Sequence, residues 1–468
     1  MSKFVFCKSP WTVRFDCSVE KQMRDGFVRV AEEIFFEEAL YLKDGVTFYA
    51  GMELEFPIIQ NGFSPTTQDV RDEITNRFPK HTSVELGANQ LEIIHEPPVD
   101  ICRSGIGALE NDMQTNFSAI QKEIQKKSAM ITRVGCYPLI DIEKVAHTKG
   151  EQKYAKYERS PLWHMEHQRP GAPRVLRVAE PINVSNAYVV SLMNAAQITV
   201  DAESFADAID KLNRSLMISP MAVALGANAR YLGLCDTGYA DVRFVAWEIS
   251  HDSRSYEELA SGRQTRVGLP RRYYTGLNDY FNRILTYPFI MNDSISLEHP
   301  FEVGTGIYWR DARLKFFRNK KTIAVEFRPV ALQPTLHEDI GMMVFYLGRL
   351  LWSQHEKETL IPIEYVRVNK LQAMKRGMNC KLYSLNGSAI QLSPASIVLA
   401  CEINKAEKGL QLLGTETAEI NYFFEPLRQR LSSGSPAECF AKKVKECEQK
   451  LGRREALIST IQELNLVQ

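Results

Sequence analysis

Three short stretches alternate hydrophobic and polar positions with a period of two, and acids sit among the polar ones. The first is Gly51-Met52-Glu53-Leu54-Glu55-Phe56-Pro57, which follows the apolar run Val46-Thr47-Phe48-Tyr49 and reads as a strand. Alternation puts Glu53 and Glu55 on one face of a sheet. The second runs from Glu85 through Leu86-Gly87-Ala88-Asn89-Gln90-Leu91 to Glu92-Ile93-Ile94 and is ended by Pro97-Pro98. Glu85 and Glu92 are seven residues apart, so a regular strand puts them on opposite faces, whereas a bulge near Gly87 turns both inward. The third is Thr322-Ile323-Ala324-Val325-Glu326-Phe327-Arg328-Pro329, where Glu326 and Arg328 share a face. Singly, these are exposed edge acids or a cross-sheet salt bridge. Together they place acids inside apolar strands, where an unpaired charge is costly, and a magnesium-type site of carboxylate oxygens accounts for all three. On that reading Arg328 contacts a phosphoryl oxygen, which suits its planar fork of donors.

Between these stretches the apolar spacing becomes helical. Helices are predicted over 19–42, over 66–78 with Thr66 or Thr67 as cap, and over 105–130. Others are predicted over 202–216, over 217–226 closed by Asn228, over 273–287 and over 336–352. Further strands are predicted over 131–140 and 195–201, with a strand pair over 309–328 that turns at Arg318-Asn319-Lys320-Lys321. Asn61-Gly62 marks a turn, 251–269 reads as a charged loop, and 145–175, with Pro161, Pro170 and Pro173, reads as a loop or lid over a site. Past 350 the chain reads as mostly helical, broken at Ser432-Ser433-Gly434-Ser435-Pro436, with a last helix over 442–464. The order lacks a β-α-β rhythm and a Gly-x-Gly-x-x-Gly turn, so the fold class is α+β with a mostly antiparallel sheet. No P-loop and no Gly-x-Ser-x-Gly elbow occurs, which leaves a P-loop kinase and a hydrolase triad without an anchor.

Composition narrows the classes. The 468 residues are 44% hydrophobic and 24% charged, as in a soluble globular chain with a large core, and the length suggests about three domains. Fifty-seven basic residues balance fifty-seven acidic ones, so no footprint for nucleic acid or an anionic membrane appears. No apolar run approaches the roughly 20 residues of a membrane span, and the first residues do not read as a signal peptide. Nine scattered cysteines without a Cys-x-x-Cys pair favour free thiols in a reducing, cytoplasmic compartment. His81, His95, His164, His167 and His337 lack His-Glu-x-x-His spacing and read as structural or surface residues. Arg243, in Asp241-Val242-Arg243-Phe244-Val245-Ala246-Trp247, is either a snorkelling side chain or a second anion clamp, and Gln197 offers an amide oxygen to a metal.

In this order and spacing the stretches resemble the glutamate–cysteine ligase superfamily of carboxylate–amine ligases, over roughly residues 45 to 350. The marks are Gly51 to Glu55; Glu85 with Gln90 to Ile93; Gln197-Ile198-Thr199-Val200-Asp201; Pro220 to Asn228; Arg243 with Trp247; Trp309 with Arg313; and Val325 to Arg328 followed by Gln333-Pro334-Thr335. Thr199 stands where an asparagine is common, His95-Glu96 replaces a small residue before Pro-Pro, and 145–190 and the last 110 or so residues match nothing placed.

The resemblance implies a glutamine-synthetase-like saddle of mostly antiparallel strands flanked by helices, with a helical C-terminal extension. It divides the chain into an N-terminal helical segment (1–45), a catalytic domain (46–350) and a C-terminal region (351–468). It implies ATP and Mg2+ as cofactors. Glu53, Glu55, Glu85, Glu92, Gln197 and Glu326 would form the metal shell, Arg328, Gln197 and Asn228 would bind the nucleotide, and Arg328, Arg243 and Arg313 would be catalytic. The expected reaction activates an amino-acid carboxylate, the γ-carboxylate of glutamate, as an acyl phosphate. An amine, cysteine by default, then attacks to form an amide. The alternatives are a ligase of this fold joining another acid or amine in a specialised pathway, and a non-catalytic binding protein. The expected partners are small amino acids and amines, with neither nucleic acid nor membrane, and a homodimer is allowed.

Overall fold

The computed structural model describes residues 17–43, 48–60, 63–149, 169, 174–289 and 298–466. The turn expected at Asn61-Gly62, His164, His167 and most of the proline-bearing loop lie outside these residues.

Eight described strands form one antiparallel sheet: β1 (Tyr49–Gln60), β2 (Thr82–Val84), β3 (Gln90–Ile94), β4 (Val99–Asp100), β5 (Ala129–Ile131), β6 (Ala195–Ala202), β7 (Ala312–Phe317) and β8 (Thr322–Ala331). The order is β7-β8-β6-β1-β3-β2, with β4 and β5 also on β1, and the sheet curls into a half-barrel. Alternation sorts its side chains. Met52, Leu54 and Phe56 of β1, Leu91 and Ile93 of β3, Ile198 and Val200 of β6, and Val325 and Phe327 of β8 are buried on the lower face. Burying each such side chain contributes about 1.5–3 kcal/mol. This face rests on helices α1 (Phe205–Gly226) and α2 (Leu336–His355), with Phe327 stacked on Tyr346 at a ring separation of 4.1 Å. The other face carries the acids and bases. Register sets Glu55 opposite Glu92, Glu53 opposite Gln197, and Glu326 between Thr199 and Arg313.

Several elements differ from the expectations. The stretch 85–94 is not one bulged strand: β2 and β3 are antiparallel, with Ser83 opposite Glu92, and 85–89 is the connection between them. Arg71 pins that connection by donating to the carbonyls of Glu85 (3.3 Å) and Gly87 (3.1 Å). A Cβ at Gly87 would stand 3.0 Å from Gln90 Cβ and 3.1 Å from the Ser191 carbonyl, so the close approach favours glycine. The strand expected over 131–140 stops at Ile131. Beyond it Gly135 N–H donates to Asn228 O in a loop and Tyr137 N–H to Leu192 O at the end of a 3-10 helix, neither in a strand. The two helices expected over 202–226 are one, α1, capped by Ser204, whose Oγ accepts from Asp207 N–H at 3.1 Å. Thr67 precedes the helix Gln68–Arg77 without a capping bond, and Thr66 Oγ1 donates to Ile58 O instead.

The boundary expected at 350 falls inside α2. The C-terminal region is mostly helical, with one hairpin that the pattern did not show, Lys381–Asn386 with Ala389–Pro394. Its last helix is interrupted at Gly452, where φ is +75°. One hydrophobic cluster runs from Met23 to Leu427 and takes in sheet and C-terminal helices alike. Helix α3 (Ala395–Leu412) crosses α2 at Gly348 and Gly409. A Cβ at either glycine would overlap a carbonyl oxygen of the facing helix. Gly409→Ala is expected to destabilise the fold by about 1–3 kcal/mol, read as a lower urea midpoint at unchanged slope.

β7 is one margin of the sheet, and the N–H of Leu314 there donates to the buried Tyr280 hydroxyl at 3.2 Å. Among the described residues no helix is long and apolar enough to cross a membrane. The described free cysteines are Cys136, Cys235, Cys380, Cys401, Cys439 and Cys447.

Candidate active site

A cavity of about 860 Å³ opens on the polar face of the sheet. Its charged end is lined by Glu53, Glu55, Glu85, Glu92, Arg328 and the bases of β7. Its apolar wall includes Leu86, Met193, Ile307, Trp247 and Trp309. The two indoles lie 5.9 Å apart at 49°.

The acids form two groups, not the single shell of six ligands expected. In the first, Glu55 and Glu92 face each other across β1 and β3, and Glu85 reaches them from the β2–β3 connection. One carboxylate oxygen from each lies within 4.8 Å of the others. Glu55 is held in place by two donors, Ala195 N–H at 2.9 Å and Gln197 Nε2 at 2.8 Å, and Glu85 accepts from Leu86 N–H at 3.0 Å. Removal from water and the neighbouring Glu85 push the Glu55 carboxyl up to about 8, against the pull of Ala195 N–H, Arg328 and Arg243.

These three carboxyls fit a divalent ion. Oxygens on an octahedral magnesium at about 2.1 Å stand about 3 to 4 Å apart, so small side-chain rotations would bring all three into range. Without a cation, like charges face each other directly and one carboxyl is driven to keep its proton.

In the second group Lys315 Nζ lies 2.6 Å from Glu53 Oε1 and 2.6 Å from Glu326 Oε1. Arg313, the cross-strand partner of Glu326, bonds it through Nε and through Nη2 at 3.2 Å. Arg328 Nε adds a contact at 3.3 Å. Burial pushes the Glu326 carboxyl up, but Arg313, Lys315 and Arg328 outweigh it and hold the group well below the usual carboxylate range. Burial and nearby Arg313 lower the Arg328 guanidinium against the pull of Glu326, Glu55 and Glu53. Pro329 has no N–H for the ladder, and the β6–β8 register shifts between Phe327 and Val330, beside Arg328.

Glu53, Glu55, Glu85, Glu92, Gln197, Arg313 and Arg328 thus all line the cavity. Glu326 meets its lining bases from a fully buried position. Arg243 borders the cavity, but all five of its N–H groups are taken by Asp241 and the carbonyls of Asn194, Pro329 and Val330, so no donor remains for an anion. Asn228 is not brought to the cavity. Its amide donates to Leu332 O at 2.7 Å, tying two loops, which is a correction to its expected nucleotide contact. His337 pairs with Glu110 at 2.9 Å, and neither His81, His95 nor His337 lines the cavity. Lys315 was not singled out from the sequence. Its signal was present: Arg313 and Lys315 alternate on the expected strand opposite Glu326.

The sequence matches the profile of glutamate–cysteine ligase family 2 over residues 49–453. No curated protein gives a significant match. Among solved structures, the glutamate–cysteine ligase of Francisella tularensis in complex with AMP aligns with a TM-score of 0.50 at 13% identity, covering 91% of this chain and 90% of its own. A bifunctional glutathione synthetase from Pasteurella multocida aligns with a TM-score of 0.49 at 12% identity, covering 94% of this chain and 54% of its own, so this chain spans about half of that protein. At this identity the first likeness establishes the shared fold.

Proposed function

Because the chain belongs to glutamate–cysteine ligase family 2, we propose that it is an ATP-dependent ligase that joins an amino-acid carboxylate to an amine through an acyl phosphate. The observation that carries this reading is the convergence of Glu55, Glu85 and Glu92 beside Arg328 in one cavity. A bound magnesium ion would neutralise charge on the phosphoryl oxygens. The chain's own residues do the rest. Glu55, Glu85 and Glu92 would hold the ion, and Gln197 and Ala195 N–H orient Glu55. Among the described residues Arg328 makes one ion pair, through Nε to Glu326, which leaves its terminal N–H groups for a phosphoryl oxygen or substrate carboxylate. Arg313 keeps Glu326 ionised and in place. The AMP complex of the Francisella tularensis ligase supports a nucleotide in this fold.

Glutamate is the proposed donor and cysteine the first acceptor to test. The indole wall of Trp247 and Trp309 favours a second reading in which the chemistry is kept and the acceptor carries a larger apolar group.

The test is phosphate release from ATP with glutamate and pooled amino acids and amines, with the amide identified by mass spectrometry. Release is expected to require magnesium, a carboxylate and an amine together. No stimulation by any pair would overturn the reading. Arg328→Lys is expected to lower turnover by about 10²–10³-fold, since a point charge does not replace a planar fork.

A further inference from the structure

Glu53 and Glu326 project from β1 and β8 toward the same space, and a lysine fills it. We propose that the ammonium of Lys315 is a built-in cation of this site, standing between Glu53 and Glu326 where a second divalent ion would otherwise bind. Before nucleotide arrives the chain then holds one metal ion, on Glu55, Glu85 and Glu92. The inference rests on the metal reading of that three-carboxylate group.

Three observations carry it. First, the ammonium is 2.6 Å from an oxygen of each acid, the length of a charge-assisted bond, so the space between them is closed to another ion. Second, the charge there is already overcompensated. Two carboxylates, Glu53 and Glu326, meet three cations, Lys315, Arg313 and Arg328, and a divalent ion would add to an excess of positive charge. Glu55, in contrast, has no ion-pair partner among the described residues. Third, the lysine is placed by regular structure. Lys315 lies in mid-β7, two residues from Arg313, with Cα opposite Ala324, and alternation turns both bases to the acidic face.

The consequence for the reaction is specific. An ammonium has three N–H donors and two are engaged by the acids. The third remains for an oxygen in the cavity that Lys315 lines, so a fixed side chain supplies positive charge without having to be recruited from solution.

The test uses Mn2+ alone on the full-length, nucleotide-free protein, with bound ion counted by electron paramagnetic resonance. The wild type is expected to bind one Mn2+ per chain, Lys315→Gln two, and Lys315→Arg one. Glu55→Gln is expected to bind none. Circular dichroism and unfolding midpoints establish that each variant is folded. Two ions on the wild type, or one on a folded Lys315→Gln protein, would overturn the inference and leave the ligase reading standing. No ion on the wild type would overturn both.

Discussion

Glu55→Gln is expected to reduce turnover by about 10³-fold or more while leaving the unfolding temperature unchanged or raised. On the proposed reading the two effects separate, because the carboxyl would serve a cation and not the fold. In the metal-free protein, burial and Glu85 push it up to about 8, above its ordinary 4.5. Stability therefore falls as pH rises from about 4.5 to about 8 and stays lower above that, and a neutral amide of the same shape removes the loss. Steady-state phosphate release and a thermal melt in the presence of chelator measure the pair. Turnover within tenfold of wild type at saturating magnesium would remove Glu55 from the metal site. A large drop in melting temperature would make it a structural residue instead.

Asp339→Ala is expected to cost about 3–5 kcal/mol of folding stability. Asp339 lies in the first turn of α2 and is fully buried against Arg133. Its other oxygen accepts from Gln333 N–H at 2.8 Å, and Arg133 Nε donates to Gln333 O at 3.1 Å. Removing the carboxylate strands a guanidinium that burial has already pushed down to about 9. Urea unfolding measures the loss, and a value under about 1 kcal/mol would contradict the role given to the pair. Replacing Arg133 and Asp339 together by Met and Leu is expected to recover most of it, because an apolar pair leaves no buried charge unmatched.

Glu53 and Glu55 were readable because β1 is central and one face is fully buried, so a slip of one residue would expose Met52, Leu54 and Phe56. The same alternation exposed Glu326 with Arg328, and a strand pair turning at Arg318 to Lys321. Glu85 faces the cavity from the connection between β2 and β3 and not from a bulged strand. A bulge and a tight connection both accept glycine at 87, and only the pairing of Ser83 with Glu92 distinguishes them. The roles of Arg243 and Asn228 depended on partners at distant positions, Pro329, Val330 and Leu332, which no local pattern reveals. The division of the acids into two groups depended on Lys315, whose meaning appears only when β7 lies beside β8. Position 350 lies within α2, which is apolar on nearly every side, as expected of a helix enclosed by both sheet and C-terminal helices.

The hydroxyl of Tyr280 has a wider effect than one hydrogen bond. By occupying Leu314 N–H it blunts the outer border of the half-barrel, where an incoming segment would find that rung of the template already used. Because both residues are buried, Tyr280→Phe would leave the Leu314 N–H enclosed without that acceptor.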